Sequence, residues 1–310
     1  MDRVIGKYKG REAGPLVILI GAMHGNEGAG VKAISKLLGM LEDEPSKNPS
    51  FEFKGSVLGL IGNLKAFKRG KRFVERDLNR SWNAERIQCL LADPNLKCNE
   101  EEKEILAILQ QISMEIKDVQ PTEIFLIDIH TTTAFGGIFS IPSEKEASLN
   151  LAIGLKAPVI TKMIDGIQGT SLHYFRSENM GIPTTSVVFE AGQHEEEKSV
   201  DRAIAAIVSA LREVGCVRPT DVENKHEDIL LTYSKGLPPV SELLEIHTVI
   251  EGDGFSMKPG YKNFQPVTEG EVLARDNQGE INASRDGLIL MPLYQEQGED
   301  GFFLIRPINL

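Results

Sequence analysis

The sequence predicts an α/β protein: a mixed sheet flanked by helices, followed by a smaller all-β, barrel-like C-terminal domain. Three observations carry this. Short apolar runs rich in branched residues recur at strand length over 15–21, 53–61, 124–129 and 184–189. Helix-period segments lie between and after them, and strands alternating with helices read as an open α/β sheet of largely parallel character. After about Gly215 the pattern changes to short strand-like runs separated by Gly, Pro, Asn and Asp.

The elements follow in order. Residues 15–21 (PLVILIG) form a buried strand, followed by a helix over about 27–41 with Val31, Ile34, Leu37 and Leu38 on one face. Residues 53–61 are the next strand. The stretch from Asn63 to Trp82 has little periodicity and is strongly basic. A Glu-rich helix spans about 100–116, and 124–129 (IFLIDI) is a third buried strand. Further strands are expected over 137–141, 158–163 and 184–189, then a strongly periodic helix over 196–214. Residues 216–235 are polar without a clear apolar period and read as a linker. The division is therefore 1–215, a linker over 216–235, and an all-β part over 236–310. Residues 266–292 resemble half of a biotinyl/lipoyl-type barrel, but the turn at 276–279 has no lysine for a covalently attached cofactor.

Composition excludes more than it identifies. The 310 residues are 41% hydrophobic and 25% charged, ordinary for a soluble protein. No apolar run reaches the roughly 20 residues that span a bilayer, and the first residues lack a secretory pattern. A net charge of -11 argues against nucleic acid or an anionic membrane as partner. Three cysteines with no CxxC pair fit reduced thiols, so a cytoplasmic protein is expected. A homo-oligomer is compatible with the sequence, which does not reveal oligomeric state.

Four clusters carry chemistry. GAMHGNE places His24 and Glu27 where a buried strand turns into a helix, and Gly25 permits the change of direction. An imidazole and a carboxylate three apart can aim at one zinc ion. Alone, HxxE is a weak signal, and a helix-start histidine with an acidic first turn fits it better. DIH ends the 124–129 strand and supplies His130, with Asp128 on the same face to orient its imidazole. Glu190 ends another buried strand, where a carboxylate is costly unless paired, protonated or metal-bound. Judged alone, it also fits a solvent-facing strand end. The basic segment ends in DLNR, and an Arg fork with an Asn amide suits a substrate carboxylate. A solvated basic loop is the plainer alternative.

Taken together, GAMHGNE, DLNR, DIH and the strand-end Glu resemble the succinylglutamate desuccinylase/aspartoacylase family, related to zinc carboxypeptidases. The resemblance covers most of the first ~215 residues and, more loosely, the C-terminal part. It implies a zinc-carboxypeptidase-like sheet and one zinc per chain held by His24, Glu27 and His130, with Glu190 as general base. It further implies Arg72 at the scissile carbonyl and a substrate-binding set of Asn63, Arg72, Asn79 and Arg80. The expected substrate is a small anionic N-acyl amino acid. The aspartoacylase pattern of a Tyr and an Arg four apart is not matched, since Tyr174 and Arg176 are two apart. Arg176 and Tyr294 stand as counterparts for side-chain specificity, and His194 is placed to line the cleft. The rival readings are a zinc carboxypeptidase acting on short peptides and a non-catalytic protein binding zinc or a small acid.

Overall fold

The computed structural model describes every residue except Glu144, Val222 and Leu310. Its strands in chain order are β1 (Val4–Lys9), β2 (Glu12–Gly21), β3 (Lys54–Ile61), β4 (Ile124–Thr132), β5 (Phe139–Pro142), β6 (Val159–Thr161) and β7 (Thr184–Gln193). They continue as β8 (Val240–Thr248), β9 (Ser256–Met257), β10 (Gln265–Val267), β11 (Val272–Asp276), β12 (Gly279–Asn282), β13 (Gly287–Leu290) and β14 (Asp300–Pro307). Eleven of these form one mixed sheet in the order β1-β3-β2-β4-β7-β5-β6-β8-β14-β13-β10.

Its centre, β3-β2-β4-β7, is parallel, and β2, β4 and β7 are almost wholly buried. That explains why they read as unbroken apolar runs rather than alternating ones. Helices cover both faces. The Ala29–Lys47 and Lys198–Glu213 helices bury Ile34, Leu37, Ile204 and Ile207 on one side. The Glu100–Val119 helix buries Ile105, Ile108 and Ile112 with Trp82 on the other.

Parallel register fixes the site. With β2 beside β4 and β4 beside β7, the carboxyl ends of all three strands lie together. Gly21 stands opposite Ile129, and His130 opposite Glu190. Residues 108 or 60 positions apart in sequence thus meet at one edge, the usual ligand position in such sheets.

The basic segment is more ordered than its lack of periodicity indicates. Leu64–Arg69 is helical and Leu78–Arg80 is a single 3-10 turn. Fully buried Glu101 holds the loop between them, accepting hydrogen bonds from the backbone N–H groups of Val74 (2.7 Å), Glu75 (3.1 Å) and Arg76 (3.2 Å). Within the polar stretch 216–235, Lys225–Ser234 is a helix that buries only His226 and Leu230. Two buried positions four apart are too few to produce a visible stripe.

After Gly236, β8, β14, β13 and β10 extend the same sheet, because β8 runs parallel to β6 and pairs with β14. A second sheet, β12-β11-β9, closes against them around Leu273, Phe302 and Leu304. The 276–279 turn joins β11 to β12, with the Asp276 carboxylate accepting from the N–H of Gln278 (2.7 Å) and Gly279 (3.0 Å). Among the described residues, no helix is long and apolar enough to cross a membrane.

Candidate active site

The turn after β2 delivers His24 and Glu27. Its left-handed residue is Ala22, with φ 55°, whereas Gly25 keeps an ordinary φ. Gly25 is needed for a different reason: a Cβ there would lie 2.3 Å from the Ala66 carbonyl carbon and the Phe67 nitrogen. Gly25→Ala is accordingly expected to lower stability by about 1–3 kcal/mol, or more if the basic loop cannot shift, measured by denaturant unfolding.

Both histidines aim Nδ1 at one carboxylate. His24 Nδ1 lies 2.8 Å from Glu27 Oε1, and His130 Nδ1 lies 3.1 Å from Glu27 Oε2. The Nε2 atoms face outward to aspartates, His24 to Asp77 Oδ1 and His130 to Asp128 Oδ1, each at 3.1 Å. Asp128 is held in turn by the Ser171 hydroxyl, which donates to Oδ2 at 2.6 Å. The Thr131 N–H donates to Glu27 at 3.0 Å.

All these side chains are buried, so their charges are strongly coupled. Burial favours the neutral acid of Glu27, but His24 and His130 outweigh it and hold this carboxyl well below the ordinary carboxylate range. For His130, burial disfavours the charge, yet Asp128 and Glu27 raise its pKa well above the usual histidine value. Glu190 behaves oppositely. Burial pushes it up to about 7, with His130 pulling downward and Glu27 pushing further upward. Its Oε2 is buried and has no hydrogen-bond partner among the described residues.

The donor set fits a divalent metal. His24, Glu27 and His130 each offer one ligand atom, and these atoms lie within 4.8 Å of one another. Two imidazoles and one carboxylate are a known set for a catalytic ion with an open position. Each imidazole has an aspartate behind it, hydrogen-bonded for His24 and in ion-pair contact for His130, an arrangement that favours one tautomer and ring orientation. Because protons supply the charge balance of this cluster, metal and protons compete there, and affinity for the metal falls as pH falls.

Asp77 is the residue that sequence reasoning missed. Its Oδ1 meets His24 Nε2 and accepts from the Asn79 N–H at 2.7 Å, while Oδ2 accepts from Arg72 Nε (3.2 Å) and Nη2 (2.9 Å). Burial opposes its charge, but His24 and Arg72 hold its pKa well below the ordinary value. One carboxylate thus ties the basic loop to the metal cluster. The signal available was the Asp that begins DLNR.

A cavity of about 830 Å³, its open mouth included, is lined by His24, Glu27, Arg72, Asn79, Arg80, His130, Glu190 and His194, together with apolar residues that include Ile164, Leu172, Val188 and Phe303. Arg72 Nη1 stands 3.5 Å from Glu27 Oε1. Asn79 accepts from the Ser171 N–H at 2.9 Å, and Arg80 pairs with Asp300. His194 Nδ1 is 2.7 Å from the Thr131 hydroxyl.

Three expected residues do not line the cavity. Asn63 is fully buried and caps the Leu64–Arg69 helix, accepting from the Ala66 N–H (3.0 Å) and donating to Glu101 (3.1 Å). It shapes the loop and is out of reach of substrate. Arg176 precedes the Ser177–Met180 helix and donates from Nε to the Leu172 carbonyl at 3.2 Å. The Tyr294 hydroxyl accepts from the Tyr261 N–H (2.8 Å) and donates to the Lys258 carbonyl (3.0 Å), while its neighbours Leu293 and Gln295 do line the cavity. Tyr174 packs against Trp82 and Phe175.

The model of the succinylglutamate desuccinylase/aspartoacylase catalytic domain matches residues 13–214. The chain belongs to this family. Among its family relatives, an N-acyl-aromatic-L-amino acid amidohydrolase (carboxylate-forming) of Xenopus tropicalis is 31% identical over 279 residues, covering 83% of each chain. A probable aspartoacylase of Nostoc sp. is 34% identical over 135 residues, which span 43% of this chain but only 40% of that protein. Solved structures of family-like fold include the ectoine utilization protein EutE (DoeB) of Ruegeria pomeroyi, with TM-score 0.64 and 21% identity over 97% of this chain and 87% of that one. Murine aminoacylase 3 has TM-score 0.59 and 18% identity over 96% of each chain.

Proposed function

We propose that this family member is a zinc-dependent amidohydrolase that cleaves the linear amide of a small anionic N-acyl amino acid, releasing a carboxylate and the free amino acid. The observation that supports this most is the buried Oε2 of Glu190, unpartnered among the described residues, in the same cavity as His24, Glu27 and His130. The activities for which the relatives are named, amidohydrolase and probable aspartoacylase, agree with it.

His24, Glu27 and His130 would hold one ion per chain, leaving a position open. Bound there, zinc supplies Lewis acidity, lowering the pKa of a water and polarising a carbonyl oxygen. Glu190 takes a proton from the attacking water as the new C–O bond forms at the amide carbon. Arg72 donates to the carbonyl oxygen as negative charge collects there. Glu190 then passes the proton to the leaving nitrogen as the C–N bond breaks. Asn79 and Arg80 hold the substrate carboxylate, Arg80 sharing its guanidinium with Asp300. Asp77 and Asp128 keep both imidazoles turned inward. The unpaired Cys89, Cys98 and Cys216 suit a reducing compartment, and we place the enzyme in the cytosol.

Hydrolysis of N-acetyl amino acids by the purified protein tests this reading. Turnover should vanish on exhaustive chelation and return on adding back about one equivalent of zinc. Turnover that survives complete metal removal would refute it. The pH dependence follows from Glu190, which acts as a base only when ionised. Activity therefore rises with pH through its titration, and an added cation moves that titration below the value of about 7 set in the metal-free site. An acid limb of unit slope in kcat/KM at or below that pH is expected, and it should be absent from the residual rate of Glu190→Gln.

A further inference from the structure

The cavity has two chemically different walls. The polar wall carries the metal cluster, Arg72, Asn79 and Arg80. The other wall is built from Met163, Ile164, Ile167, Leu172, Val188 and Phe303. Most of these are buried in one cluster, and Ile167 is partly exposed at its margin. This wall is therefore a packed, preformed surface and not a loose flap of hydrophobic residues.

Connectivity places the apolar wall against the carboxylate clamp. The Ser171 N–H donates to Asn79 Oδ1 at 2.9 Å, and the Trp82 N–H donates to the Gly169 carbonyl at 2.9 Å. A Cβ on Gly169 would lie 2.4 Å from the Arg80 carbonyl oxygen. The 163–172 segment and the 79–82 segment are thus in direct contact. A carboxylate held by Asn79 and Arg80 therefore sits next to the segment that carries Ile167 and Leu172.

Charge favours the same assignment. Among the described residues, Arg72 and Arg80 are the arginine or lysine side chains lining the cavity, and both already face carboxylates, Asp77 and Asp300 respectively. Glu299 also lines it. Besides the apolar wall and the hydroxyls of Thr131, Thr132, Thr133 and Thr170, a second carboxylate on the substrate would meet Asp300 and Glu299, and among the described lining residues there is no further arginine or lysine to pair it. A desolvated, unpaired carboxylate is strongly disfavoured.

We infer that this enzyme selects N-acyl amino acids with apolar side chains, aliphatic or aromatic, and discriminates against N-acyl aspartate and glutamate. Ile167 and its neighbours then act as specificity-determining residues. This rests on the hydrolase reading above, with Asn79 and Arg80 holding the α-carboxylate.

The test pairs turnover with binding. Wild-type kcat/KM is measured for N-acetyl-phenylalanine, N-acetyl-leucine, N-acetyl-aspartate and N-acetyl-glutamate, and the same four are titrated calorimetrically into zinc-loaded Glu190→Gln. Burial of one large apolar side chain predicts a preference of roughly 10- to 100-fold for the first two in both measurements. Ile167→Lys should reverse or erase that preference by supplying the missing cation. Ile167→Gln, similar in length and uncharged, should weaken the apolar substrates without rescuing the acidic ones. Preference for the acidic substrates in wild type would overturn the inference while leaving the hydrolase reading intact. Absence of all turnover would instead sink the hydrolase reading, and binding then decides the ligand class. Tighter binding of the apolar pair upholds it, and equal, reversed or undetectable binding overturns it.

Discussion

Glu190→Gln should lower kcat by about 10²- to 10⁴-fold while leaving zinc bound. Gln keeps the shape of the side chain but cannot accept the proton that the attacking water must lose. Because Glu190 stands outside the His24, Glu27 and His130 set, metal content should not change. The same variant should be more stable than wild type in its metal-free form at about pH 8. The sign follows from linkage. Burial raises the Glu190 pKa to about 7, so the folded protein binds this proton more tightly than the unfolded chain does. Stability is therefore lost as pH rises from the ordinary carboxyl range through that value, and it stays lost above it. Removing the charge should recover on the order of 1–3 kcal/mol, read from denaturant melts. Loss of turnover with loss of stability would point to a structural role, and retained turnover would remove Glu190 from the base position.

Asp77→Asn should weaken zinc binding by about 10- to 100-fold and lower turnover even at saturating zinc. Two functions hang on this carboxylate. It faces His24 Nε2, and it receives Arg72 through Nε and Nη2. Asparagine preserves the volume but can present only one oxygen, so it cannot serve both partners as an anion. Freed from its charge partner, Arg72 also loses the orientation that aims it at the carbonyl oxygen. Asp128 faces His130 and accepts from the Ser171 hydroxyl, and neither partner is the Arg72 guanidinium. Asp128→Asn should therefore reduce metal affinity with a smaller effect on turnover at saturating zinc. Zinc titration with a competing chelator, alongside kcat at saturating metal, separates the two. Equal effects of both variants on kcat would contradict the double role of Asp77.

What could be read from the sequence depended on distance along the chain. His24, His130 and Glu190 were visible because each ends an apolar run, and parallel strands place their ends together. Asp128 was visible because its partner is two residues away on one strand face. Asp77 was not, since 53 residues separate it from His24 and no local period links a loop to a turn across the sheet. Asn63 shows the converse error. Its family-like motif invited a substrate role, while its position just before a short helix marks an N-cap, which is what its side chain does. The apolar wall was equally hidden. Ile164, Leu172, Val188 and Phe303 come from four separate elements, and each alone reads as core. The Lys225–Ser234 helix escaped notice because its burial rests on two positions.

The most direct test of the central claim is metal analysis of wild-type protein beside a His24→Ala/His130→Ala double variant, both purified without chelators. About one zinc per chain in wild type, absent from a variant that remains folded by circular dichroism, is the predicted result. Wild-type protein that holds no zinc even after incubation with an excess, or a variant that binds it equally well, would contradict it.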